Sequence, residues 1–191
     1  ALVAGLIVFF AVHSVRIVAD DWRKRMLARH GRIAWHALHS VGSLLGLALI
    51  IYGYASARTA PLLLWPSPPG LRHAALALMV VAAVLLAAAF VPRNAIKARL
   101  HHPLVLAIVI WAIAHLLANG TLADLLLFGG FLLWALALHA NARRRDRLEG
   151  KLYAPGSVIG TLAAIAIGLL LWAAFALWLH APLIGVAQLA L

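Results

Sequence analysis

Long apolar runs constrain this sequence more than any other feature. Six stretches carry almost no charge, and each approaches the ~20 residues that a helix needs to cross a hydrocarbon core of ~30 Å. They cover residues 1–18, 34–56, 71–91, 103–118, 122–142 and 157–179. We therefore predict an all-α fold, a polytopic membrane bundle of six transmembrane helices that forms a single domain over residues 1–191.

The positive charges predict how these helices are oriented. The chain has 16 Lys and Arg residues against 5 Asp and Glu residues, and fourteen of the sixteen fall in three segments or next to them. They are Arg16 and the basic residues of segments 19–33, 92–102 and 143–156. Basic loops collect on the cytoplasmic side, which predicts that both termini lie on the opposite side of the membrane, the periplasmic side in a bacterium. We expect Asp146 and Glu149 to pair with the arginines around them.

Composition also excludes several classes of protein. The net charge of +11 is confined to short segments between apolar runs, which argues for a membrane topology signal and against nucleic-acid binding. With no cysteine, the chain has no disulfide framework and no thiolate metal site. Because no basic region precedes the first apolar run, we interpret that run as a span and not as a signal peptide.

Short motifs mark helix ends and close helix contacts. Asn119-Gly120 is typical of a helix end, and Thr121 with Asp124 predicts a capping box that opens the next helix. Two pairs of glycines four residues apart allow helices to approach closely. These pairs are Gly42-x-x-x-Gly46 and Gly156-x-x-x-Gly160.

Histidines inside the apolar runs are the main functional candidates, because a titratable ring in hydrocarbon is costly. With a rise of ~1.5 Å per residue, His13 lies about 12 Å and His115 about 18 Å above the cytoplasmic edge of the core. His39 and His139 lie closer to that edge. We identify His13 and His115, on the first and fourth predicted spans, as the central pair.

Haem b fits this pair better than other cofactors do. Without cysteine, and with carboxylates expected in loops, a closed zinc site lacks ligands and a proton relay lacks partners. Haem iron needs only one or two axial ligands and an apolar slot. The alternative is that each imidazole donates to a nearby carbonyl and merely ties helices together.

Two residues on the helix of His115, Trp111 and Asn119, and one at its start, His102, have two interpretations each. Trp111, His115 and Asn119 recur at a spacing of four and share one helix face. Trp111 could line a cofactor pocket and Asn119 could orient the imidazole, or the two could be a packing residue and a helix-ending Asn. His102, before Pro103, either opens the helix at the interface or controls access from the cytoplasmic leaflet.

Several of these motifs occur together in a known family. They are Val12-His13-Ser14, His102-Pro103, Trp111-x-x-Ala114-His115-Leu116-Leu117-x-Asn119-Gly120 and Arg143-Arg144-Arg145. On these motifs the sequence resembles the NnrU family over essentially the whole chain. The family is named for an association with bacterial nitrite and nitric oxide reduction, and the same domain occurs in zeta-carotene isomerase, a membrane haem b enzyme.

The resemblance implies specific roles. His13 and His115 match the positions of the two haem ligands of the isomerase. Trp111, Asn119 and His102 are candidates for residues around the cofactor from their positions in the sequence alone. The resemblance makes His36, His39 and His139 incidental. It implies a haem protein between helices one and four, with an accessory or redox role in nitrogen-oxide metabolism.

Two other functions are kept as alternatives. One is a haem-dependent cis-trans isomerase of a conjugated lipid-soluble substrate such as a carotenoid. The other is a membrane methyltransferase of the isoprenylcysteine type, which would bind S-adenosylmethionine. The expected partners are the lipid bilayer and either nitric oxide or a polyene, and association of identical chains is compatible with the sequence.

Overall fold

The computed structural model describes residues 1–185, and this part of the chain is helical apart from connections and two isolated bridges. The helices are α1 (Leu2–Val18), α2 (Asp20–Ala57), α3 (Pro69–Phe90), α4 (Ala95–Leu100), α5 (Pro103–Ala118), α6 (Leu122–Asp124), α7 (Gly130–Leu148), α8 (Val158–Ala174) and α9 (His180–Ile184). π-helical turns at Leu125–Gly129 and Phe175–Leu179 join α6 to α7 and α8 to α9.

Four helical stretches are long and apolar enough to cross a membrane. They are Asp20–Ala57, Pro69–Phe90, Leu122–Leu148 and Val158–Pro182. The other two predicted spans coincide with shorter apolar helices, α1 with 17 residues and α5 with 16. The all-helical, membrane-type fold is therefore confirmed, whereas the count of six spans and the side of the termini stay predictions.

By its internal contacts the chain divides into two compact units, which are described separately. Unit 1 comprises Ala1–Pro66 and Asn119–Asn141, and unit 2 comprises Ser67–Ala118 and the chain from Ala142 onward. His13 belongs to unit 1 and His115 to unit 2. The single domain over residues 1–191 stays a prediction.

In unit 1, α1 packs against α2 through glycines. A Cβ atom added at Gly46 would lie 2.9 Å from the backbone nitrogen of Phe9, and one at Gly42 would lie 2.8 Å from Cγ2 of Val12. At Gly46 no larger residue fits without moving the backbone of α1, and at Gly42 the side chain of Val12 would have to shift. The first glycine motif is thus a packing site, as its spacing predicted.

A capped helix start anchors the segment that follows α2. Thr121 accepts from the backbone of Asp124 and the Asp124 carboxylate accepts from Thr121, which confirms the predicted capping box. The Gly120 carbonyl accepts a hydrogen bond of 2.8 Å from the backbone of Leu64. Tyr54 donates a hydrogen bond of 2.6 Å to Oδ1 of Asp124, whose side chain is buried.

The basic segments are more helical than the sequence predicted. Segment 19–33 was expected to be a loop, but α2 begins at Asp20 and changes direction at Gly31, where φ is 78°. Asp20 forms ion pairs of 2.9 Å with Arg23 and 3.0 Å with Lys24, one turn along the helix. Acidic residues in a first turn and such pairs favour a helix, which explains the difference. Helices also occupy parts of the other two basic segments.

In unit 2, α3 packs against α5 and α8. Asn94 is almost fully buried, donates to the carbonyls of Ala88 and Val91, and accepts from the backbone of Lys97. A Cβ atom at Gly160 would lie 2.8 Å from the carbonyl oxygen of Pro92. The second glycine motif is therefore also a packing site.

Candidate functional site: two half-buried histidines

The imidazole of His13 is oriented by its own helix. Its Nδ1 atom lies 2.8 Å from the carbonyl oxygen of Phe9, one turn earlier in α1, and the ring is half-buried. Because a carbonyl can only accept, Nδ1 carries the proton. A neutral His13 therefore has its lone pair on Nε2, the form in which imidazole binds a metal.

Aromatic side chains surround His13 in unit 1. Phe9 stacks on the imidazole with ring centroids 4.0 Å apart, and Trp134 meets it edge-on at 6.2 Å. Trp134 is itself fixed, because its Nε1 donates a hydrogen bond of 3.0 Å to Oγ of Ser14. The Val12-His13-Ser14 motif thus provides both an oriented imidazole and the acceptor that holds a neighbouring indole.

His115 of unit 2 has the same local geometry. Its Nδ1 atom lies 2.8 Å from the carbonyl oxygen of Trp111, and the two rings lie 5.0 Å apart. The predicted shared face is therefore confirmed for Trp111 and His115. Asn119 lies just beyond α5, which ends at Ala118, as the helix-end motif predicted. In both histidines the bond stays within one helix, so through Nδ1 neither imidazole ties two helices together.

His102 lies in a polar cluster that the sequence did not reveal. It precedes Pro103, and its carbonyl accepts from the backbones of Val105 and Leu106, so it opens α5 as predicted. Its Nε2 lies 2.7 Å from Oδ2 of Asp146, and Tyr153 donates a hydrogen bond of 2.7 Å to the same oxygen.

Two further contacts complete the cluster. The imidazole of His101 stacks on the Tyr153 ring at 4.1 Å, and Arg143 contacts Nδ1 of His101. These residues all belong to unit 2.

The expectation that Asp146 pairs with neighbouring arginines is wrong. Its carboxylate contacts His102, Tyr153 and, at 3.8 Å, Nζ of Lys151. The cause is a turn after α7, in which the backbone of Lys151 donates to the Asp146 carbonyl and Gly150 has a φ of 58°. This turn returns the chain over the helix end. The glycine after a basic helix end was the available signal for it.

The cluster changes the acidity of Tyr153. Partial burial, together with the hydrogen bond to the negative carboxylate of Asp146, raises the pKa of the Tyr153 phenol to about 12. The phenol therefore stays protonated and keeps donating to Asp146 throughout the physiological pH range.

The comparison with known proteins agrees with these motifs. A family model described as NnrU protein matches residues 1–188. The chain belongs to the NnrU family. No curated protein and no solved structure matches it.

In this NnrU protein, ring contacts place a third histidine beside His13. The imidazole of His39 on α2 lies 5.0 Å from that of His13, edge to face, and Trp35 lies 6.1 Å from His39 on its own helix. The family resemblance made His39 incidental, and its contact with His13 depends on how α1 and α2 are rotated, which the sequence does not specify. Within the described residues, groups of three or more His, Cys, Asp or Glu suited to hold a metal ion are absent.

The donor set of the NnrU chain suits haem better than a bare metal ion. An imidazole with its lone pair on Nε2 is one of the groups that bind haem iron, and a carbonyl contact at Nδ1 holds His13 and His115 each in that form. Two surface cavities lie elsewhere: one is lined by Ala95 and Thr161 among others, and one by Leu2 and Gly53 among others. Neither of these two cavities is lined by His13 or His115.

Proposed function

We propose that this NnrU protein binds haem b, with His13 and His115 as candidate axial ligands, and serves an accessory or redox role in nitrogen-oxide metabolism. One observation carries the proposal: both imidazoles donate from Nδ1 to a carbonyl of their own helix at 2.8 Å. Such a bond fixes the tautomer and the orientation of the ring, as is usual for metal-binding histidines.

The surroundings of each histidine support a haem ligand in particular. Phe9 and Trp134 present aromatic faces beside His13, and Trp111 does so beside His115. Apolar and aromatic groups exclude water, and the planar porphyrin packs well against them. When bound, haem would supply a redox-active iron with affinity for nitric oxide.

The same Nδ1 contact also occurs on an exposed histidine, which serves as a comparison. Nδ1 of His73 lies 3.1 Å from the Pro69 carbonyl, but this side chain is exposed at the start of α3. His13 and His115 combine the bond with partial burial inside apolar helices. This combination distinguishes His13 and His115 from His73.

We also propose that the chain crosses a bacterial inner membrane six times, with the basic segments in the cytoplasm. The support is the apolar surface of the helices together with the distribution of basic residues. Because the chain has no cysteine, the single substitutions Arg144→Cys and Arg58→Cys can each be labelled with an impermeant maleimide in intact cells. We expect labelling at position 58 and protection at position 144; the reverse would contradict this topology.

Absorption spectroscopy of the purified protein tests the function. Protein produced with an adequate haem supply should show a Soret band, a reduced spectrum typical of haem b, and a shift when nitric oxide is added. A preparation without haem bands would overturn the proposal. Conversion of a cis-polyene by the reduced protein would favour the isomerase over the accessory role.

A further inference from the structure

One nitrogen of His39 lacks the partner that its position requires. Among the residues that the structure describes, Nδ1 of His39 has no hydrogen-bond partner, although the atom is shielded from solvent. An unsatisfied polar atom inside an apolar helix pair is unfavourable, and a bound water, ion or ligand is one way in which native proteins satisfy such an atom. The bound state is therefore expected to supply a partner.

The neighbours of His39 indicate where that partner lies. Its ring contacts His13, with centroids 5.0 Å apart and planes inclined by 64°. The contact is maintained by the close approach of α1 and α2, because Gly46 leaves no room for a Cβ atom beside Phe9. A group that is held by His13 would consequently lie next to His39.

The charges near this pair favour an anionic oxygen. Arg16 follows His13 by one turn of α1 and has an exposed side chain. The acidic residues that come next in the chain, Asp20 and Asp21, are already paired with Arg23 and Lys24. No carboxylate of unit 1 contacts His39 among the described residues, so a ligand carboxylate would meet no competing negative charge there.

We propose that His39 donates a hydrogen bond from Nδ1 to a carboxylate of haem. The inference rests on the proposed function, because it takes His13 as a ligand of the iron in the same haem. The carboxylates are the strong acceptors that haem b carries at its edge, whereas the porphyrin plane is apolar. Hydrogen bonds to charged acceptors are the strong ones, and they fix orientation as well as affinity.

The test compares haem with its dimethyl ester, in which both carboxylates are blocked. The affinity of the detergent-solubilised apoprotein for each compound is measured by absorption titration for wild type, His39→Ala, His39→Gln and His36→Ala. His36 is the matched control, because it lies one turn before His39 on the same helix with an exposed side chain.

We expect His39→Ala to lower the ratio of haem affinity to ester affinity about tenfold, with the ester affinity unchanged. His39→Gln, which keeps a donor, should restore part of the ratio, and His36→Ala should match wild type. Unchanged ester binding shows at the same time that the variant is folded. Ester affinity is thus an internal control.

Two results would overturn the inference, and they are distinguishable. If wild type and His39→Ala bind both compounds tightly with the same ratio, His39 does not contact the carboxylate, and the haem proposal stands. If wild type binds neither compound, the proposed function itself fails and this inference fails with it.

Discussion

The hydroxyl group of Tyr54 donates a hydrogen bond of 2.6 Å to Oδ1 of Asp124, whose other oxygen caps the helix start at Thr121. The carboxylate is buried, so a lost donor cannot be replaced by water at no cost. Tyr54→Phe should therefore lower the free energy of unfolding by about 1.5–3 kcal/mol, the usual range for a bond to a charged group.

The measurement is unfolding in mixed detergent micelles, followed by circular dichroism. Tyr52→Phe is the matched control, because Tyr52 is 68% exposed and lies on the same helix. Equal stability of the two variants would show that the Tyr54–Asp124 bond does not contribute to the fold.

Glycine packing between α1 and α2 gives a second prediction. Gly46→Ala places a Cβ atom 2.9 Å from the backbone nitrogen of Phe9, so α1 must shift. We expect a loss of about 1–3 kcal/mol, typical of overpacking. Gly70→Ala, where a Cβ atom meets nothing within 4 Å, should leave stability unchanged or raise it slightly. The stability of both variants is measured by thermal unfolding in the same detergent. A Gly46→Ala variant as stable as wild type would contradict the close contact between α1 and α2.

The Tyr153–Asp146 pair predicts a loss of stability at high pH. The folded pKa of Tyr153 is raised to about 12, above its ordinary value, so the folded state holds the phenolic proton more tightly than the unfolded state. The resulting stabilisation is fully present below about pH 10 and is lost as the pH rises to about 12.

Tyr153→Phe should remove this part of the alkaline destabilisation. Asp146→Asn should lower the pKa of Tyr153 toward 10, which is seen as earlier tyrosinate absorption near 295 nm in a pH titration. Identical alkaline profiles for wild type and both variants would contradict the described network.

Local signals in the sequence predicted much of the helical framework. Pro103 and the Asn119-Gly120 motif bracket α5, and the Thr121–Asp124 capping box opens α6, because these signals act within a few residues. The motif that contains His115 predicted its contact with Trp111 for the same reason: both lie on one face of one helix.

Contacts between distant residues escaped prediction. The bond between His102 and Asp146 joins residues 44 positions apart and depends on how α5 and the end of α7 pack. His39 reaches His13 only in one rotation of α2 against α1, which hydropathy does not specify. The helical character of segment 19–33 was missed because its charges were interpreted as a topology signal alone, although they also form pairs along a helix.

The most direct test of the haem proposal is pyridine haemochrome analysis of four proteins. Wild type should contain haem b, His13→Ala and His115→Ala should each lose most of it, and His73→Ala should retain it. His73 is the matched control, since its Nδ1 makes the same carbonyl contact on an exposed side chain. Full haem retention in both His13→Ala and His115→Ala would contradict the assignment of these two imidazoles as ligands.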